Sequence, residues 1–216
     1  MAEKQLTEQE SLLIIQQMIN RAKSNFVDTG IGPILWGVVI TVCSLVQAAK
    51  IYYDFEMSFD IWWLALFALV PQVFISINER KERKAKGWDD DILSYVWTCF
   101  GIAVFVVNFI NNRLSMELTP AIDTYRAAGN EIQSSWSFAS CFLLLVFGFP
   151  TIITGAARKQ RWMLAGGIFC WVSAIAATFT PTYVDFVLMA FAAALSWLIP
   201  GLMIRSNYLK QKSGNV

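Results

Sequence analysis

Four cysteines, one aspartate inside an apolar run and a scatter of hydroxyl and amide side chains are the residues of this sequence with chemistry to offer. Cys43, Cys99, Cys141 and Cys170 all fall in apolar runs and no two are close together. That spacing suits neither a disulfide framework nor the paired ligands of a zinc site, and such cysteines pack as small apolar residues. The chain has no histidine, which removes the commonest metal ligand and the commonest acid–base residue together. No aspartyl pair, no serine with a basic partner inside an apolar run and no Gly-rich phosphate loop is present, so nucleophilic and phosphate chemistry have no starting point. No catalytic, cofactor-binding or metal-ligating set is expected, and the chain is read as a non-enzyme. An enzyme acting on lipid would have only Asp185, Asp123 or Glu131 to use, near one interface of the membrane.

The polar residues inside the apolar runs are otherwise neutral: Thr41, Gln47, Gln72, Asn108, Thr151, Thr154, Ser173 and Thr178. Two uses stand open for them. They line a small polar cavity, or they hydrogen-bond between helices and back to their own carbonyls, the commoner outcome in membranes. Asp89, Asp90 and Asp91 form the one acidic run. Carboxylates suit the amino end of a helix, and the neighbours Lys84, Lys86 and Trp88 add no oxygen ligands for a metal.

The elements that must hold these residues are helices in a membrane. Of 216 residues, 56% are hydrophobic and 15% charged, a balance outside that of soluble domains. The net charge of +1 points to no nucleic-acid partner. A helix needs roughly 20 apolar residues to cross about 30 Å of hydrocarbon, and runs of that kind extend from Gly32 to Ala49, Ile61 to Ile77, Ile92 to Ile110, Trp136 to Ala157, Met163 to Phe179 and Tyr183 to Ile204. Asp185 is their only carboxylate or base. The expected fold class is all-α: a polytopic bundle of six transmembrane helices over residues 31–216, with an external loop at about 111–135. The lipid bilayer is its first partner.

Orientation follows from the seventeen Lys and Arg residues. Fourteen lie in the N-terminal segment, in the loops after the second and fourth runs and in the tail; the alternate loops hold Lys50, Arg113 and Arg126. Basic flanks stay in the cytoplasm, so both termini are expected there, in a cytoplasmic (inner) membrane. The first residues read as neither a signal peptide nor a lipidation site.

Residues 1–30 are expected to form a cytoplasmic amphipathic helix. Thr7 and Glu10 make a capping box, and Leu12, Ile15, Ile19, Ala22 and Phe26 recur at helical spacing on one face. That stripe lies on the bilayer surface or docks a cytoplasmic or membrane protein partner. Within the 111–135 segment, Thr119-Pro120 reads as a cap with a first-turn proline and Gly129 as a stop, so a short separate helix is expected there.

Pro71, Pro150 and Pro200 fall in comparable places in the second, fourth and sixth runs and are candidate helix kinks. They raise the reading that the bundle is three tandem helical hairpins whose kinked members converge. Gly166, Cys170, Ala174 and Thr178 recur every four residues in the fifth run, a small-residue stripe for close helix packing. Ala192, Ser196 and Pro200 form a similar row in the sixth.

The opening Glu10-Ser11-Leu12-Leu13-Ile14-Ile15, the entry Ile34-Leu35-Trp36-Gly37, the segment from Gly148 to Gly155 before basic residues, Ala165-Gly166-Gly167 and Ile199-Pro200-Gly201 together resemble a family of small, uncharacterised bacterial inner-membrane proteins. The resemblance covers nearly the whole chain. It implies the cytoplasmic membrane and brings no activity, cofactor or catalytic residue with it. The expected function is a non-enzymatic sensing or docking component of that membrane. The alternative is a transporter or channel subunit for a neutral or weakly polar solute.

Overall fold

The computed structural model describes residues 29–82, 88–129 and 137–214. The stripe from Leu12 to Phe26 lies outside the described residues. Those described form helices and turns with no strand: α1 (Ile31–Tyr53), α2 (Trp63–Glu82), α3 (Trp88–Ala127), α4 (Ser137–Ala157), α5 (Arg161–Ala176) and a last helix in two halves, α6 (Thr182–Ala193) and α7 (Ile199–Gly214), joined by a π-helical turn at Ala194–Leu198. Four stretches are long and apolar enough to cross a membrane: Ile31–Tyr53, Ile92–Ala127, Phe138–Ala157 and Thr182–Lys210. Trp63–Glu79 in α2 and Arg161–Ala176, which is α5, are shorter apolar helices.

Local chemistry sets the ends of these elements. Gly30 takes a left-handed conformation (φ 70°) ahead of α1, and Asp54 (φ 50°) stops α1 in the same way. The Asp60 carboxylate accepts the Trp62 N–H at 3.0 Å and starts the tight turn into α2. Pro181, extended at ψ 149°, precedes α6, where its missing N–H costs nothing.

The third element departs from expectation. Instead of ending at Ile110 and restarting at Pro120, α3 runs 40 residues without a break, about 60 Å at the helical rise. The reason is at Thr119. Its hydroxyl donates to the Ser115 carbonyl one turn back at 2.6 Å rather than capping a new helix, and Thr124 repeats the bond onto the Pro120 carbonyl at 2.8 Å. An ion pair between Arg113 and Glu117, four residues apart at 2.6 Å, lies along the same stretch. Gly129 (φ 85°) follows the last turn.

The bundle is organised around the last helix with its π turn. Its α6 half packs on α1, α4 and α5, and α5 packs most extensively on α4. Among the described residues the α2 backbone lies against α1 alone and that of α3 against α4 alone, with Trp97 and Phe100 of α3 reaching the Trp197 ring of the π turn, so these two stand at the edges. The helices that carry Pro71, Pro150 and Pro200 therefore do not converge. Pro71 is exposed on α2, while Pro150 and Pro200 are buried.

Backbone contact defines the centre. A Cβ on Gly166 of α5 would stand 2.7 Å from the Ser196 Cα in the π turn, one on Gly37 of α1 2.6 Å from the Leu198 nitrogen, and one on Gly201 of α7 2.8 Å from the Ile34 nitrogen. Around these contacts lie Leu144, Met189, Cys170 and Ala192, all essentially inaccessible. The outer surface is the opposite of a soluble protein's: Phe67, Phe74, Phe105 and Phe109 are each more than 60% exposed, a surface matched to hydrocarbon.

Gly166→Val should lower the thermal midpoint in detergent by the equivalent of about 1–3 kcal/mol, because backbone cannot yield to the added carbons. Ile168→Ala on the exposed side of the same helix should leave it within about 0.5 kcal/mol.

Candidate functional site

Helix spacing places two indole–hydroxyl pairs side by side in the half of the bundle that holds Pro150 and Pro200. Thr151 and Thr154, three residues apart on α4, face the interior. Trp197 of the π turn donates its indole N–H to the Thr151 hydroxyl oxygen at 3.0 Å, and Trp97 of α3 donates to that of Thr154 at 3.1 Å. Thr151 passes its own proton to the Phe147 carbonyl at 2.8 Å, so its hydroxyl both gives and accepts. Phe100 and Phe147 complete the cluster, with ring centroids 5.0 Å apart for Phe147–Trp197 and 5.5 Å for Phe100–Phe147. Tilted and edge-on contacts at these distances add attraction beyond area burial. A third indole, Trp36 of α1, donates to the Gln72 carbonyl oxygen at 3.1 Å, and the Gln72 amide donates onward to Ser76 at 3.2 Å.

A second polar group lies toward the other end. Asp185, in the first turn of α6, is fully buried. Its carboxylate accepts from the Thr180 hydroxyl at 2.6 Å and from the Ser140 hydroxyl of α4 at 3.3 Å. The positive end of the α6 dipole favours a carboxylate there. One side chain thus ties α4, the α5–α6 turn and α6 together. Past the other end of α4, burial lowers the Arg158 guanidinium to about 10, which leaves it charged at neutral pH.

The remaining sequence-selected residues distribute as follows. Gly166, Cys170 and Ala174 share the face of α5 that meets the last helix, with the Cys170 sulfur 3.5 Å from the Ser196 hydroxyl. Thr178 lies beyond the end of α5, exposed, and bonds back to Ile175. Thr41 donates to the Ala190 carbonyl at 3.4 Å and Asn108 to that of Val104 at 2.8 Å. Cys43 and Cys170 are buried, Cys141 is half-buried and Cys99 exposed, all as free thiols. No group of three Cys, Asp or Glu residues comes together among the described residues. Asp123 is exposed on α3, and Glu131 lies outside the described residues.

Sequence reading missed the glycines of the α4–α5 interface. A Cβ on Gly148 would stand 2.2 Å from the Trp171 indole nitrogen, and one on Gly155 2.8 Å from the Leu164 nitrogen. Their seven-residue spacing was the available signal. Ser140 and Thr180 carried no signal, because they matter only through Asp185.

Taken together, the interior offers aromatic faces and hydroxyls mostly engaged with one another, suited to holding helices in register, while the buried Ser44 and Ser173 hydroxyls are without a partner among the described residues. Thr151→Val leaves the buried Trp197 N–H without its acceptor and should cost about 1–3 kcal/mol. Thr154→Val should cost less, since Trp97 is only half-buried. Thermal unfolding of both variants and of Thr151→Val/Trp197→Phe checks this, the double variant recovering part of the loss through coupling. Comparison with protein-family models, with curated proteins and with solved structures finds no match.

Proposed function

We propose that the chain is a non-enzymatic sensing or docking component of the cytoplasmic membrane, crossing it six times with both termini in the cytoplasm. The carrying observation is the use made of polar groups in the bundle. Three indoles, Thr151, Thr154 and Gln72 are engaged with one another, and Asp185 with Ser140 and Thr180. An interior whose polar groups are largely spent on its own packing, the buried Ser44 and Ser173 hydroxyls being without a partner among the described residues, leaves the surfaces outside the membrane as the place where such a protein acts.

Six crossings are supported by the way the shorter helices lie. The α5 helix runs along α4, with Leu164 beside Gly155 near one end and Trp171 beside Gly148 further along. It thereby returns the chain through the layer that α4 and α6 occupy. Helix α2 lies along α1, pairing Gln72 with Trp36 and the Glu79 carboxylate with the Thr29 hydroxyl at 2.5 Å. The fourteen-to-three bias of basic residues supports the orientation. The resemblance of its motifs to those of small bacterial inner-membrane proteins, read from the sequence, makes membership of that family part of the same proposal. The docking surface is the N-terminal stripe with the basic segment from Arg80 to Lys86, both read from sequence alone.

A transporter or channel subunit for a neutral solute is the second reading. The π-helical turn of the last helix at Ala194–Leu198 favours it, since such turns inside helices are frequent at functional sites. Purification of the tagged chain in mild detergent separates the two. A stoichiometric protein partner, lost when residues 1–28 are removed, is the expected result. A clean particle whose thermal midpoint shifts with a small solute would overturn docking in favour of transport.

A further inference from the structure

Around the buried carboxyl group of Asp185 there is one acceptor too many for the hydrogens on hand. Its Oδ1 lies 2.6 Å from the Thr180 hydroxyl oxygen, and that same hydroxyl lies 3.2 Å from the Ala176 carbonyl oxygen. A hydroxyl has one hydrogen to give. When Thr180 gives it to Ala176, the hydrogen in the shorter contact has to come from Asp185 itself. The Ser140 hydroxyl then donates to Oδ2 at 3.3 Å, and a single protonated carboxyl completes the chain of bonds from α4 to the end of α5.

The ionised group is less well served. Thr180 then turns its hydrogen to the carboxylate, and the Ala176 carbonyl keeps only the Phe179 N–H at 3.0 Å. A carboxylate has about four acceptor positions. Two hydroxyls fill two of them, and Asp185 has no accessible surface through which water could fill the others. Among the described residues no Lys or Arg is paired with it. Of the elements packed on the start of α6, α1 carries Lys50, Tyr52 and Tyr53 at this end, α4 carries Cys141, and the α1–α2 connection carries Asp54, Glu56 and Asp60, all three exposed. Tyr52 packs on the ring of Tyr183 at 5.3 Å, and Cys141 is the one whose charge interacts with that of Asp185. The π turn adds no titratable group, and α5 has only Arg161 at its far end and Cys170, which faces Ser196.

We infer that Asp185 is a proton-binding site: with the proton bound it closes the junction of α4 with the α5–α6 turn, and without it that junction opens to water. The proton reaches it by way of the Thr180 hydroxyl, which is half-buried beside the exposed Pro181 of the turn. A buried charge left without its full set of donors is relieved only by hydration, and hydration here requires Ser140 and Thr180 to move apart. The inference deepens the sensing reading, on which it rests for its role, by naming the proton as what is sensed at the face of the membrane where α5 turns into α6.

The test uses the full chain, purified and alone. In proteoliposomes near neutral pH, infrared spectra should show the carbonyl stretch of a protonated carboxylic acid, absent from Asp185→Asn and lost as the pH is raised. In detergent, the folded chain holds a proton that the unfolded chain, with an ordinary aspartate near 3.9, has released. Stability therefore falls with rising pH, by up to about tenfold in the folded-to-unfolded ratio per pH unit, until the folded group itself ionises. The amide of Asp185→Asn donates to Thr180 as the acid does, so this variant should match the wild type at about pH 5 and exceed it at about pH 8, without that slope. A missing infrared band, or an Asp185→Asn chain that is less stable than the wild type at both pH values or does not fold, overturns the proton site. The sensing reading fails separately, when the site titrates as described but association with the partner is the same at both pH values.

Discussion

Backbone against backbone, at the centre of the last helix, is the contact on which the rest of this bundle depends. Leu198 approaches Gly37 of α1, Ser196 approaches Gly166 of α5, and Gly201 meets Ile34 at the entry of α1. Each approach is closer than any side chain allows, so three of these positions admit only glycine. The π turn makes the arrangement possible. Pro200 has no N–H and its ring crowds the carbonyl four residues back, which is that of Ser196. One wider turn, closed by the Ile199 N–H on the Ala194 carbonyl, takes up the irregularity and directs Trp197 toward Thr151.

Most polar groups near that centre are met from within, because hydrocarbon offers no hydrogen bonds; the buried Ser44 and Ser173 hydroxyls are without a partner among the described residues. The solutions are short and neutral. Thr151 accepts an indole N–H while donating to its own helix, and Gln72 links Trp36 to Ser76. Asp185 is the exception in charge but not in principle: two hydroxyls and a helix amino end surround it. These groups act as register pins between helices whose remaining contacts are apolar and weakly directional.

What could be read from the sequence was whatever depends on one segment at a time. The apolar runs around α1, α4 and the last helix follow from composition, and the Gly166–Cys170–Ala174 face follows from spacing within α5. The Thr119-Pro120 pair misled because a threonine hydroxyl serves equally well as a helix cap or as a back-bond to the preceding turn. Which of these it does depends on whether the helix before it is already formed, and that helix is not visible in the dipeptide. Gly148 and Gly155 looked like ordinary small residues, since the bulk that demands them, Trp171 and Leu164, belongs to another helix. The matched prolines suggested three equivalent hairpins. Equivalence fails because α2 is an edge helix, whereas α4 and the last helix are central, and position in the bundle leaves no mark at the proline itself.

The partnership of α1 with the last helix also sets an order of assembly. The Thr41 hydroxyl meets a carbonyl 149 residues further along the chain. At a synthesis rate of roughly 5–20 residues per second, α1 spends on the order of ten seconds or more in place before that partner exists. During that interval its neighbour is α2, which covers Trp36 through Gln72 and packs Ala68 against Val39 and Cys43. The edge helix that contributes least to the finished core is therefore the one that shelters its first member while the core is still being made.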